Sequence, residues 1–179
     1  MAKRKESTIA ALMEDKPKRG RPRRSVSRQN VYVALSLGQK RQIHTMSSGL
    51  PEGLSRADIP DMAVGLLATR MEVLRQAVAD RDREIPEGVT DMDSLYLLWD
   101  LPLPAGNGQA KWTSIRLSPQ KAIDLGRVQG VLNAMFGVNR SQVFSLSLTL
   151  LEQFLDEELE GKPYQSLEDV DRWIDRIYL

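Results

Sequence analysis

The sequence has no cysteine and a single histidine, His44. That excludes a disulfide framework and cysteine-ligated zinc or iron–sulfur centres, and one imidazole cannot build a histidine metal cluster or a catalytic histidine pair. Long apolar runs are missing too: nothing approaches the ~20 residues that span a bilayer, and the charged residues 1–5 are followed by no secretory h-region. Asp91, Asp93 and Asp100 lack the glycine-centred loop of a calcium site, so solvated carboxylates are expected there. These deficits point to a soluble cytoplasmic protein of the cell interior or nucleoid, not an enzyme, with no cofactor and no bound metal.

What is present is unevenly placed. The net charge is only +1, yet residues 1–28 hold ten Lys or Arg against three acids, residues 29–151 hold twelve of each, and residues 152–179 hold three basic and nine acidic residues. A cationic head, a neutral middle and an anionic end follow. At 179 residues with 41% hydrophobic content, the chain can carry one ordinary domain plus a tail.

Residues 1–27 read as a disordered basic arm. Its densest part, Lys16-Pro17-Lys18-Arg19-Gly20-Arg21-Pro22-Arg23-Arg24, sets prolines where neither helix nor sheet persists. Beyond the arm, two segments repeat one another. Asn30-Val31-Tyr32-Val33-Ala34-Leu35-Ser36 and Trp112-Thr113-Ser114-Ile115-Arg116-Leu117-Ser118 each alternate like a half-buried strand ending in Leu-Ser. Alternation sends Val31, Val33 and Leu35, and Thr113, Ile115 and Leu117, to a buried face. Asn30, Tyr32 and Ala34, and Trp112, Ser114 and Arg116, then look outward, although Trp112 at the strand start suits a core position equally well.

Ser36, and Ser118 followed by Pro119, are N-cap candidates for a helix after each strand, and the two helices should end at Gly49 and near Gly137. A second junction repeats as well: Gly53-Leu54-Ser55-Arg56-Ala57-Asp58-Ile59 against Gly137-Val138-Asn139-Arg140-Ser141-Gln142-Val143. Ser55 with Asp58, and Asn139 with Gln142, resemble capping boxes opening a further helix. Apolar positions at helical spacing follow, at Ile59, Met62, Ala63, Leu66, Leu67, Met71 and Leu74, and at Val143, Leu146, Leu150, Leu151, Phe154 and Leu155. Pro60 conflicts with a helix opening at Ser55 and would delay its start by a turn. Residues 80–110, with three prolines and Gly106-Asn107-Gly108, read as a connector around a short helix at residues 92–99. Residues 161–179 read as a last amphipathic helix capped at Ser166, with an acidic face in solvent that offers itself to a protein partner.

Strand, helix, helix, with a Gly-apolar-Ser/Asn-Arg junction before the second helix, resembles the ribbon-helix-helix superfamily of bacterial and phage DNA-binding proteins. The resemblance covers about residues 28–78 and 111–156. It implies a mainly α fold with a short two-stranded antiparallel ribbon, in which residues 28–79 and 111–160 are two halves of an intramolecular pseudo-dimer and residues 30–36 pair with residues 112–118. In that family the ribbon lies in the major groove of double-stranded DNA. Arg116 can donate to guanine and Asn30 can pair with adenine; Ser114 or Tyr32 can donate or accept, Ala34 can touch a thymine methyl, and Trp112 completes the face. Arg28 and the helix starts Ser55-Arg56-Ala57 and Asn139-Arg140-Ser141 are the phosphate candidates, through charge and open backbone N–H groups. Arg19-Gly20-Arg21-Pro22, flanked by Lys18, Arg23 and Arg24, resembles the AT-hook, whose guanidinium groups enter an A·T-rich minor groove.

The expected function is sequence-specific binding of double-stranded DNA by a monomeric pseudo-dimer that can assemble on DNA, acting as a transcriptional repressor. Two alternatives stand beside it. One is an accessory protein for DNA transfer, partition or recombination, since tandem single-chain proteins of this kind resemble conjugation factors carried on plasmids. The other is an antitoxin whose acidic tail binds a toxin.

Overall fold

The computed structural model describes residues 27–79, 85–104 and 109–179, so the basic arm with its Lys18–Arg24 segment and the Gly106-Asn107-Gly108 stretch lie outside the described residues. The chain runs β1 (Gln29–Leu35), α1 (Leu37–Gly49), α2 (Ile59–Ala77), α3 (Met92–Leu98), β2 (Lys111–Leu117), α4 (Pro119–Phe136), α5 (Arg140–Gln153), a π-helical turn (Phe154–Glu158) and α6 (Leu167–Tyr178). It is mainly helical, with one two-stranded antiparallel sheet of β1 and β2.

The strands form as their alternation predicts. Val33, Leu35, Ile115 and Leu117 are buried on one face, because a period of two sends every second side chain to the same side. Ser36 then stops β1 and caps α1: its Oγ accepts from the Gln39 N–H at 3.1 Å while Gln39 Oε1 accepts the Ser36 N–H at 2.8 Å. Ser118 starts α4 differently. Its side chain makes no cap bond, Pro119 opens the helix, and the Ser118 N–H donates to Asp61 Oδ1 at 2.8 Å. Gly137 ends α4 at φ 69°, a left-handed conformation that costs glycine little.

The two junction helices differ from each other at their starts. Asn139 caps α5 with a complete box, its Oδ1 accepting from the Ser141 and Gln142 N–H groups and Gln142 Oε1 accepting from Asn139. Ser55 does not open α2. The helix begins at Ile59 after a turn in which Asp58 Oδ2 accepts from both the Ser55 N–H and the Ser55 Oγ. Pro60 thereby falls in the first turn, where its missing N–H has no helical partner to lose.

α2 and α5 form the centre. α2 packs on α5, α4 and α6, and α5 packs also on α1, α4 and β1, so both are covered on nearly all sides. Residues 59–68 are all buried, as are Phe144, Ser147 and Leu148, well beyond the one-sided stripes that spacing suggests. The Ser147 hydroxyl is satisfied inside the core by donating to Phe144 O at 2.8 Å.

The connector is part of this core, since Ile85, Val89, Leu95, Tyr96, Trp99 and Leu101 are buried in it. Asp100 turns the chain after α3 at φ 54°, and the Leu101 N–H reaches back to Tyr96 O at 2.9 Å. α6 closes the far side. Ser166 and Asp169 cap it reciprocally, and Val170 and Ile174 are buried. Arg70 of α2 lies between the rings of Trp99 and Tyr178, 5.2 and 4.7 Å from their centroids, and so links connector and last helix to the centre. Among the described residues no helix is long and apolar enough to cross a membrane.

Candidate nucleic-acid interface

The face of the sheet turned away from α2 and α5 brings together all six side chains that alternation sent outward. β1 and β2 pair so that Asn30 faces Arg116, Tyr32 faces Ser114 and Ala34 faces Trp112. Matching the two strands residue for residue sets Asn30 against Trp112 and Ala34 against Arg116, and the register exchanges these pairs about Tyr32 and Ser114. The pairing is therefore symmetric about its middle. Ala34 is half-buried and the other five positions are exposed. Trp112 is 75% exposed and Tyr32 63%, which decides the position that sequence left open: the indole is not core. Two large aromatic side chains therefore stand in water beside polar ones on this face.

The two junctions flank opposite ends of this ribbon. The Ala34 N–H donates to Ser141 Oγ at 2.8 Å, which sets the start of α5 beside the Ala34 and Trp112 end. Arg28 donates to Ala57 O and to Asp58, which sets the approach to α2 beside the Asn30 and Arg116 end. Arg56 and Arg140 are both exposed, and Asn139 with them.

Three of the phosphate candidates are already engaged within the chain. Arg28 does not face solvent. Its side chain, 9% exposed, bridges Asp58 at 2.5 Å and Asp61 at 3.2 Å, so its charge is balanced inside the fold. Ser55 is likewise occupied, with N–H and hydroxyl both held by Asp58; since α2 begins at Ile59, Ser55 and Ala57 do not form its first turn. At α5 the Ser141 N–H is already taken by Asn139. The open N–H groups that a bound anion would need are thus partly filled by caps, and Arg56 and Arg140 remain as the phosphate candidates.

Sequence reasoning missed the Arg28, Asp58 and Asp61 cluster. Its only trace was an acidic residue, Asp61, inside an otherwise apolar helical stripe. Asp61 is 2% exposed, and burial raises its carboxyl above the ordinary 3.8 although the Ser118 N–H and Arg28 oppose this. Asp58 is buried as well, yet the hydrogen bonds from Ser55 and Arg28 outweigh the burial and lower it below 3.8. The different signs follow from the geometry: Arg28 sits closer to Asp58, and Asp61 lies deeper. In the other half the same place in the repeat is taken by Ser145, whose Oγ accepts from Gln39 Nε2 at 2.7 Å. The helix after each strand is therefore anchored to the opposite half on both sides, once by a carboxylate and once by a hydroxyl through a glutamine.

His44, Asp91, Asp93 and Asp100 are exposed, and Asp91 serves as the cap of α3, accepting from the Ser94 N–H at 2.7 Å. Among the described residues no three His, Asp or Glu side chains gather where they would hold a metal ion. The acidic end of the chain is not a free tail: α6 lies on α2 with an outer face of mixed charge that includes Glu168, Arg172, Asp175 and Arg176. In comparisons with protein-family models, curated proteins and solved structures, the chain matches none.

Proposed function

We propose that this chain binds double-stranded DNA sequence-specifically as a single-chain ribbon-helix-helix pseudo-dimer, with β1 and β2 in the major groove. The proposal extends to its use: a transcriptional regulator of the repressor type. One observation carries the reading. Three cross-strand pairs, Asn30 with Arg116, Tyr32 with Ser114 and Ala34 with Trp112, hold the outward side chains of a register that is symmetric about its centre. A two-stranded ribbon fits a major groove ~12 Å wide, and the side chains it would carry there have the donors, acceptors and apolar surface that distinguish base pairs. Arg116 presents a fork of donors suited to guanine, Asn30 an amide suited to adenine, and Ala34 a methyl suited to thymine. Arg56 and Arg140, at opposite ends, would hold the phosphates and set the register without reading sequence. Residues 18–24 would add a minor-groove contact from the arm.

The test is selection from randomised duplexes at two salt concentrations. Arg116→Ala should broaden the preference at one base position and cost ~1 to 3 kcal/mol of binding. Removing residues 1–27 should flatten the salt dependence by ~0.9 logarithmic units per lost phosphate contact. Because both Arg116 and Trp112 are exposed, replacing either by alanine should leave folding stability within ~0.5 kcal/mol. Equal affinity of wild type, Arg116→Ala and Trp112→Ala for every duplex would end this reading.

A further inference from the structure

β1 ends at Leu35 and β2 begins at Lys111, so no hairpin turn closes the ribbon at either end. Two strands alone are marginally stable in water, and their last rungs open first unless something else ties them. The side chains proposed to read bases stand close to those ends: Asn30 with Arg116 at one, Ala34 with Trp112 at the other.

The helices supply the missing closure, with different chemistry at each end. Gln29 pairs with Leu117, so Arg28 and Ser118 occupy the next rung outward. The Asp61 carboxylate of α2 spans that rung: Oδ1 accepts the Ser118 N–H at 2.8 Å and Oδ2 faces the Arg28 guanidinium at 3.2 Å. Each partner lies two residues from a base-reading side chain, Arg28 from Asn30 and Ser118 from Arg116. Asp61 itself is 2% exposed, so it cannot touch a base. At the opposite end hydroxyls and an amide do the tying. The Ala34 N–H donates to Ser141 Oγ at 2.8 Å, the Ser36 N–H donates to Gln39 Oε1 at 2.8 Å, and Gln39 Nε2 in turn donates to Ser145 Oγ at 2.7 Å.

Resting on the DNA-binding reading above, we propose that Asp61 is a positioning residue for sequence recognition at the Asn30 and Arg116 end only. By fixing the rung beside them it sets where the Asn30 amide and the Arg116 guanidinium stand. A bidentate base contact tolerates little displacement, because two hydrogen bonds must keep their length and angle at once. Gln39 has the corresponding part at the Ala34 and Trp112 end.

Duplexes selected from a randomised pool by the wild-type chain define the site. Base pairs whose preference is lost in Arg116→Ala mark one end, and those lost in Trp112→Ala mark the other. Asp61→Ala should lower discrimination at the first set about tenfold and at the second by less than about twofold, and Gln39→Ala should do the reverse. Asp61→Asn, which keeps an acceptor for the Ser118 N–H, should restore most of the preference. A merely destabilised fold would instead bind every duplex with the same reduced competent fraction and leave base preference unchanged at both ends. Should Asp61→Ala fail to fold, Ser118→Pro removes the N–H donor and leaves Asp61 with Arg28. Ser118 has φ −60° and makes no cap bond through its side chain, so proline fits the backbone there, and the same one-ended loss is expected. Unchanged preference, or equal loss at both ends, in the folded variant overturns the positioning role and leaves DNA binding standing. If the wild-type chain selects no duplex, or none whose preference Arg116→Ala alters, the DNA-binding reading falls and this inference with it.

Discussion

The Ser118 backbone N–H, at the end of β2, donates to the Asp61 carboxylate of α2 at 2.8 Å, and this bond joins the second half of the chain to the first inside a nearly dry environment. Asp61 also faces Arg28 at 3.2 Å, so one carboxylate holds the two chain ends that flank the ribbon: the residue before β1 and the residue after β2. The outer face of the sheet is kept in register by a polar anchor that is itself buried.

Replacing Asp61 by alanine leaves the Ser118 N–H without this acceptor and Arg28 with Asp58 as its remaining counter-ion. Removing one partner of a buried pair costs ~3 to 5 kcal/mol, and the lower end applies because Asp58 is still present. Asp61→Asn keeps an acceptor for Ser118 and should cost less. Urea unfolding of the three proteins gives the ranking; a loss in Asp61→Ala no larger than that of an exposed substitution would show that the anchor is not structural.

The two carboxylates should leave opposite marks on stability against pH. Asp58 is lowered in the fold, so its contribution is complete above the ordinary 3.8 and is lost as pH falls through its folded value. Asp61 is raised, so the folded chain keeps that proton to higher pH than the unfolded one, and stability falls as pH rises from 3.8 to its folded value. The slope follows the difference in bound protons between the two states. Unfolding free energies measured between about pH 2 and 6 should show Asp58→Asn with a flatter acid limb and Asp61→Asn with the decline above 3.8 removed.

Gly53 is needed for closeness. A Cβ built there would lie 1.9 Å from the carbonyl oxygen of Gln165, just before the Ser166 cap of α6. Gly53→Ala must push that backbone away, and forcing atoms into a packed contact typically costs ~1 to 3 kcal/mol. Gly49, with nothing within 4 Å of its added Cβ, is the control and should tolerate alanine. Thermal unfolding of the pair separates the two; equal melting temperatures would mean that the approach of Gln165 to Gly53 carries no weight.

Asp100 is the described non-glycine residue with positive φ, at 54°, held there by the return bond from Leu101 to Tyr96. Glycine adopts this region without the steric cost that a Cβ brings. Asp100→Gly should therefore stabilise the fold by ~0.5 to 1 kcal/mol, read as a higher urea midpoint at unchanged slope. A lower midpoint would mean that the Asp100 side chain matters more than its backbone strain.

Much of this architecture was legible from local chemistry. The alternation at Val31, Val33 and Leu35, and at Thr113, Ile115 and Leu117, defined two strands and their inner faces, and the Ser36, Asn139 and Ser166 caps and Gly137 marked helix ends, because each depends on residues within four positions of one another. The six outward side chains followed from the same period of two. What sequence could not supply depended on distant parts of the chain. Whether Trp112 faces water, and which residue opposes it, was settled by the pairing with Ala34. The removal of Arg28 from the surface required Asp58 and Asp61 to arrive beside it, and α2 and α5 are covered on most sides only because the two strands and the other helices pack on them. Periodicity reports the face a segment can bury; which neighbour arrives to bury it, and which charge is neutralised on the way, is decided by contacts between residues that have no proximity until the chain has folded.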